Sequence, residues 1–267
     1  MAKLSVSQAW DETKAILASD GKLIATVALA LFVLPGIVLD LSMPDAPAGQ
    51  FPPAGPWVAV ALVAVIISLV CQLAIIRLAM GPHLTVGEAI TYGARRVLPY
   101  VAAVLMWALP LIFFIALLYA VVEAGSAKPS AAAALGVIVA AIIGIYLAVR
   151  FLLMSAVASA EGTGSLAILR RSWEISAGNW WRLFGFLAMF AIGAVALLWA
   201  VGTVVGLLSQ LAFGSITRMS AGGLIVIIVS QVLSAMISMV FFVMSARLYS
   251  QRGEGAGAQA SVPSSGT

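Results

Sequence analysis

Groups able to do acid–base, nucleophilic or metal chemistry are scarce in this sequence. It holds one histidine, His83, directly after Gly81-Pro82, and one cysteine, Cys71, inside an apolar run. One of each, away from any cluster of carboxylates, excludes the usual zinc and Cys/His spacings. Cys71 reads as a small buried hydrophobe. The ten carboxylates fall mostly in the N-terminal segment, in loops and in amphipathic stretches, and no apolar run has Asp, Glu or His near its centre. Ion-coupled carriers keep such groups as proton or sodium sites despite their cost in lipid, so a carrier of that kind is disfavoured. The chain reads as not an enzyme, with no catalytic residue, metal ligand or cofactor expected.

The most pointed cluster is basic and aromatic: Arg170, Arg171, Trp173, Trp180, Trp181 and Arg182 lie within thirteen positions. Tryptophan favours the headgroup zone of a membrane and arginine its inner face, so the segment serves at least as an interfacial anchor. The sharper reading is recognition of anionic phospholipid, each basic group contributing roughly 1 kcal/mol near such a leaflet. Three further arginines, Arg77, Arg150 and Arg247, each close an apolar run. They either snorkel toward headgroups or bind an anionic headgroup or a nearby carboxylate. Milder polar groups lie within the runs: Gln72, Gln231 and the stripe Ser230, Ser234, Ser238. Gly136-Ala140-Gly144 and Gly202-x-x-x-Gly206 form ridges suited to close helix packing, with a narrow polar groove for a headgroup as the alternative. Pro35-Gly36, Pro99 and Pro110 predict kinks or boundaries.

The elements that must position these residues are membrane helices. Of 267 residues 63% are hydrophobic and 9% charged, with a mean hydropathy of +1.13. A soluble domain carries about 25% charged residues. So much apolar surface requires lipid as part of the solvent. Six runs approach the roughly 20 residues needed to cross a bilayer: Leu23–Ser42, Trp57–Met80, Val97–Val122, Ala131–Val157, Leu183–Leu208 and Leu224–Tyr249. The first starts too late, after a polar segment, for a cleaved signal peptide, and is read as a retained helix.

Basic residues set the orientation. Lys3, Lys14, Lys22, Arg77, Arg95, Arg96, Arg150, Arg170, Arg171, Arg182, Arg247 and Arg252 fall on one side, against Lys128 and Arg218 on the other. The positive-inside rule puts the first set and both termini in the cytoplasm, with a bacterial inner membrane as the expected location. The outer loop from Asp40 to Pro56, with Asp45 and several prolines, is expected to cap the outer face. Residues 1–250 form the membrane domain, and 251–267 a tail, Gly-, Ala- and Ser-rich from Gly253, without apolar periodicity and expected to be disordered.

A repeat underlies this layout. SVSQAWDETKAIL begins at Ser5, TVGEAITYGARRVL at Thr85 and SLAILRRSWEISAGNWWRL at Ser165, 80 residues apart each time. The first two open as capping boxes; the third has Ile168 where Glu or Gln would sit. Each carries apolar residues on one face, as in helices that lie in the membrane interface. The expected fold is therefore all-α, a bundle of about six transmembrane helices in three hairpins, each preceded by an amphipathic interfacial helix.

The stretch Arg170–Gly185, through Trp173-Glu174, Gly178-Asn179 and Trp181-Arg182, resembles the cytoplasmic segment of the membrane domain associated with glycerophosphodiester phosphodiesterases and of related stand-alone bacterial membrane proteins. The resemblance implies such a membrane domain without its soluble catalytic barrel, which needs some 250 residues of its own. The leading expectation is a non-enzymatic inner-membrane protein that organises or senses lipids, or scaffolds partners, with anionic phospholipid as its partner. The alternatives are a conduit for a lipid or small solute, and a membrane subunit for a separately encoded phosphodiesterase.

Overall fold

A computed structural model describes residues 4–44, 52–81, 84–124, 131–162, 164–214, 217 and 219–260, with the side chains of 118–124, 131–134 and 252–260 outside the description. The described chain is helical, with turns and short irregular joints between the helices: α1 (Val6–Ala28), a π turn (Leu29–Val33), α2 (Leu34–Ser42), α3 (Trp57–Met80), α4 (Val86–Ala124), α5 (Ala131–Arg150), α6 (Met154–Ala160), α7 (Ser165–Ser176), α8 (Trp180–Phe213) and α9 (Ala221–Ala260). Six helical stretches are long and apolar enough to cross a membrane, and the protein is a multi-pass membrane protein. They form three hairpins, α1/α2 with α3, α4 with α5/α6, and α8 with α9. Lys3, His83, Lys128 and Arg218 lie outside the described residues, as do 45–51 of the proposed outer cap and 261–267 of the tail. Helical backbone runs on to Ala260, past Gly253 where the sequence predicts the tail to lose structure.

Local sequence explains the helix starts. Ser5 caps α1, its Oγ accepting the Gln8 N–H at 3.3 Å. Thr85 and Glu88 close a reciprocal box at α4: the Glu88 N–H donates to Thr85 Oγ1 at 3.3 Å, and the Thr85 N–H to Glu88 Oε2 at 2.9 Å. Such a box satisfies donors that a helix start otherwise leaves free. The third start has Gly164 as cap, with no side-chain bond. The π turn sits just before Pro35. Proline has no N–H to return to the preceding turn and its ring crowds that turn, and a locally widened turn is a common way to keep the helix going. Pro99 and Pro110 both lie inside the uninterrupted α4.

Two of the three amphipathic segments are not separate helices. The first continues through α1, the π turn and α2 as one stretch, Val6–Ser42, and the second continues into α4. Thirty-seven residues at 1.5 Å each make about 55 Å of helix, well beyond a hydrocarbon core about 30 Å thick. No residue in either junction adopts the left-handed conformation that would end the helix. Only the third segment, α7, is separate. It is released from α8 by Gly178 at φ +80°, a conformation glycine adopts without the Cβ penalty.

The packed core lies at the end of the bundle that carries Arg77, Arg150 and Arg247. There α3, α6 and α9 meet one another, while α1, α4 and α8 pack around them. Leu73, Ala74, Ala156, Val157, Val243 and Ala246 are fully buried where the three inner helices meet. α6 reaches this position because the fourth span breaks after Arg150, through a turn at Phe151–Leu153. The break leaves the Arg150 carbonyl without a helical donor, and Ser172 Oγ donates to it at 3.1 Å. Gly93 lets α4 close on α3, since a Cβ there would stand 2.8 Å from the Val70 carbonyl oxygen. The Gly202–Gly206 ridge, by contrast, packs on nothing: a Cβ at either position meets no atom within 4 Å. Toward the opposite end α4, α5 and α8 expose apolar side chains such as Phe113, Ile142 and Trp199, as helices facing lipid do.

Candidate lipid-facing site at the basic end

Arg77, Arg150 and Arg247 each reach an amphipathic segment. The Arg77 guanidinium lies over the Tyr92 ring, 4.6 Å from its centroid, and donates to the Ser159 carbonyl at 3.3 Å. Arg150 lies over Trp173 at 4.5 Å and donates to the Tyr146 hydroxyl at 2.8 and 3.0 Å. Arg247 donates to Glu12 Oε2 at 2.6 Å, and both of those side chains are largely buried. The order is cyclic: the arginine closing each hairpin docks on the segment that opens the next, and the last docks on the first. Glu12 and Tyr92 stand seven residues after Ser5 and Thr85, and Trp173 eight after Ser165.

The Trp-rich segment is divided by the fold. Arg182, exposed at the surface, donates to the Leu4 carbonyl at 2.9 Å. Leu4 donates its N–H to Asn179 Oδ1, and Ser5 exchanges two bonds with the Gln251 side chain, at 2.9 and 3.0 Å. The start of the described chain is thus tied both to the α7–α8 turn and to the far end of α9. Arg171 donates to Glu161 Oε1 at 3.0 Å, and the same oxygen accepts the Tyr249 hydroxyl at 2.7 Å. That carboxylate holds the Arg171 guanidinium above its ordinary pKa, so it stays charged throughout the accessible pH range. Trp180 stacks between Tyr146 and Phe184, with centroids at 5.9 and 5.1 Å.

The most exposed of the cluster are Arg170, whose side chain is 85% exposed beside Glu174, and Trp181 at 77%; Arg171, Arg182 and Trp173 are exposed too. Arg170 and Glu174 pair at 3.0 Å, but an exposed i,i+4 pair contributes only about 0.3–0.5 kcal/mol, so it does not withhold the arginine from a stronger anion. Of the nine residues singled out from sequence, all six arginines make protein contacts; Arg77, Arg150 and Arg247 are partly buried, and Arg170, Arg171 and Arg182 are exposed. Trp173 and Trp181 are exposed, with Trp180 half-buried beside them. Their partners Glu12, Tyr92, Tyr146 and Glu161 were not singled out. The signal for Glu12 and Tyr92 is their shared place in the 80-residue repeat; Tyr146 and Glu161 carry none.

Among the described residues no three His, Cys, Asp or Glu side chains come together as a metal site would require. No family model matches the chain, and no curated protein and no solved structure matches it.

Proposed function

We propose that this is a non-enzymatic multi-pass protein of a bacterial inner membrane that organises or senses anionic lipid at the cytoplasmic leaflet. One observation carries the reading. Arg77, Arg150 and Arg247 are partly buried and held by the protein itself, while Arg170 and Trp181 stand strongly exposed, Arg170 with only a surface pair to Glu174, as a charge-and-aromatic surface. Arginine supplies attraction to phosphate and tryptophan sits at headgroup depth, which is the composition an inner-leaflet contact needs. The twelve-to-two distribution of basic residues supports a cytoplasmic position for this end. Buried apolar residues fill the junction of α3, α6 and α9, which favours lipid organisation over conduction along the bundle axis. The resemblance of Arg170–Gly185 to phosphodiesterase-associated membrane domains brings no catalytic role with it.

The test is native mass spectrometry of the whole protein released from mild detergent, comparing wild type with Arg170→Gln/Trp181→Ala. Neither side chain is packed in the core, so the variant folds. Loss of about 1 kcal/mol per basic group near the leaflet, together with one interfacial tryptophan, lowers retained phosphatidylglycerol at least fivefold. Equal retention in the two proteins overturns the proposal.

A further inference from the structure

We propose that Arg77 and Arg96 together hold the phosphate of an anionic phospholipid beside Tyr92. This rests on the lipid-organising reading and adds a discrete subsite to the exposed Arg170/Trp181 surface.

Two guanidiniums share one aromatic ring, Arg77 at 4.6 Å and Arg96 at 5.6 Å from the Tyr92 centroid. Among the described residues no ion pair joins either to a carboxylate. Glu88 on the same helix is taken by Thr85, and Glu161, beside the loop that Arg96 reaches, is paired through Oε1 with Arg171 and Tyr249. The loop itself makes room: a Cβ at Gly162 would lie 2.7 Å from an Arg96 Nη atom. Arg77 Nε is buried without an acceptor. A ring face offsets part of one cation, but two like charges drawn together without an anion repel.

The chain shows what the missing partner is. At the equivalent place in the first segment, seven residues after its capping serine, stands Glu12, and it neutralises Arg247 at 2.6 Å. The second segment has Tyr92 there, so the counter-charge must come from outside the described protein. Both arginines are partly exposed and stand where membrane helices pass into amphipathic ones, the depth of a lipid phosphate. Two planar forks suit the oxygens of a phosphodiester.

The experiment compares wild type, Arg96→Gln, Arg96→Lys, Tyr92→Glu and Arg170→Gln/Trp181→Ala by native mass spectrometry. Each is loaded with phosphatidylglycerol, with diacylglycerol of the same chains, or with inorganic phosphate. Wild type retains one phosphatidylglycerol after the looser lipids have dissociated, and does not so retain diacylglycerol or inorganic phosphate. Arg96→Gln lowers that retention about tenfold, the worth of one charge-assisted contact, and Arg96→Lys restores much of it. Tyr92→Glu supplies the carboxylate in place, so it loses the lipid while melting no lower than wild type. Arg170→Gln/Trp181→Ala sheds the looser lipids and keeps this one, which separates the two proposals. Retention unchanged in both Arg96→Gln and Tyr92→Glu overturns the inference, as does retention of inorganic phosphate in preference to phosphatidylglycerol.

Discussion

Replacing Glu12 by Gln, Arg247 by Gln, and both together probes the contact that joins the first amphipathic segment to the last membrane helix. The two side chains are 24% and 20% exposed and 2.6 Å apart. At that separation, with an effective dielectric of about 20, the gross Coulomb attraction is roughly 6 kcal/mol. Desolvation of two largely buried ions opposes it. The net coupling therefore falls between the 0–1 kcal/mol of an exposed pair and the 3–5 kcal/mol lost when one partner of a fully buried pair is removed, at about 1–3 kcal/mol. Each single variant strands a charge and is destabilised by about that amount. The double variant leaves two neutral amides and recovers part of the loss. Reversible unfolding of the four proteins in mixed micelles gives the coupling directly as the non-additive part of the cycle. Single effects that simply add would show that the pair does not couple α1 to α9, and the cyclic docking of the three arginines would lose its strongest link.

Gly93→Ala should destabilise the protein by about 1–3 kcal/mol, because its Cβ meets the Val70 backbone oxygen at 2.8 Å and a packed backbone gives way only at a cost. Gly202→Ala, with open space around it, should be neutral or stabilise α8 by about 0.5–1 kcal/mol; parallel melting curves of the two variants check both. Cysteines placed at Ser7 and at Gln251 should react with a membrane-impermeant thiol reagent from the same face, since Ser5 and Gln251 are hydrogen-bonded to each other. Labelling from the cytoplasmic side is expected, and labelling of intact cells from outside would invert the orientation.

The membrane spans were legible because about twenty apolar residues in a row admit few other readings. Trp57–Met80 appears with those bounds as α3, and the cap at Ser5 and the box at Thr85 form as their spacing requires. The break after Arg150 was not legible. Phe151-Leu152-Leu153 holds neither proline nor glycine, and the turn depends on Ser172 taking a carbonyl 22 residues away. The continuity of the first two amphipathic segments with their membrane helices was missed for the opposite reason. Amphipathicity reports which face is apolar, not whether the backbone stops, and only Gly178 supplies the left-handed residue that stops it. The Trp- and Arg-rich cluster was legible as a composition. That Arg182 and Asn179 hold the backbone of Leu4, while among the described residues Arg170 and Trp181 reach no such partner, is a long-range contact which no local pattern encodes.

The central claim, that the basic end gathers anionic lipid, is tested most directly by excising the protein with its surrounding bilayer in polymer nanodiscs and measuring the lipid composition against bulk membrane. The account predicts phosphatidylglycerol or cardiolipin enriched around the wild-type protein, with the enrichment reduced in Arg170→Gln/Trp181→Ala. Nanodisc lipid indistinguishable from bulk membrane in both proteins would contradict it.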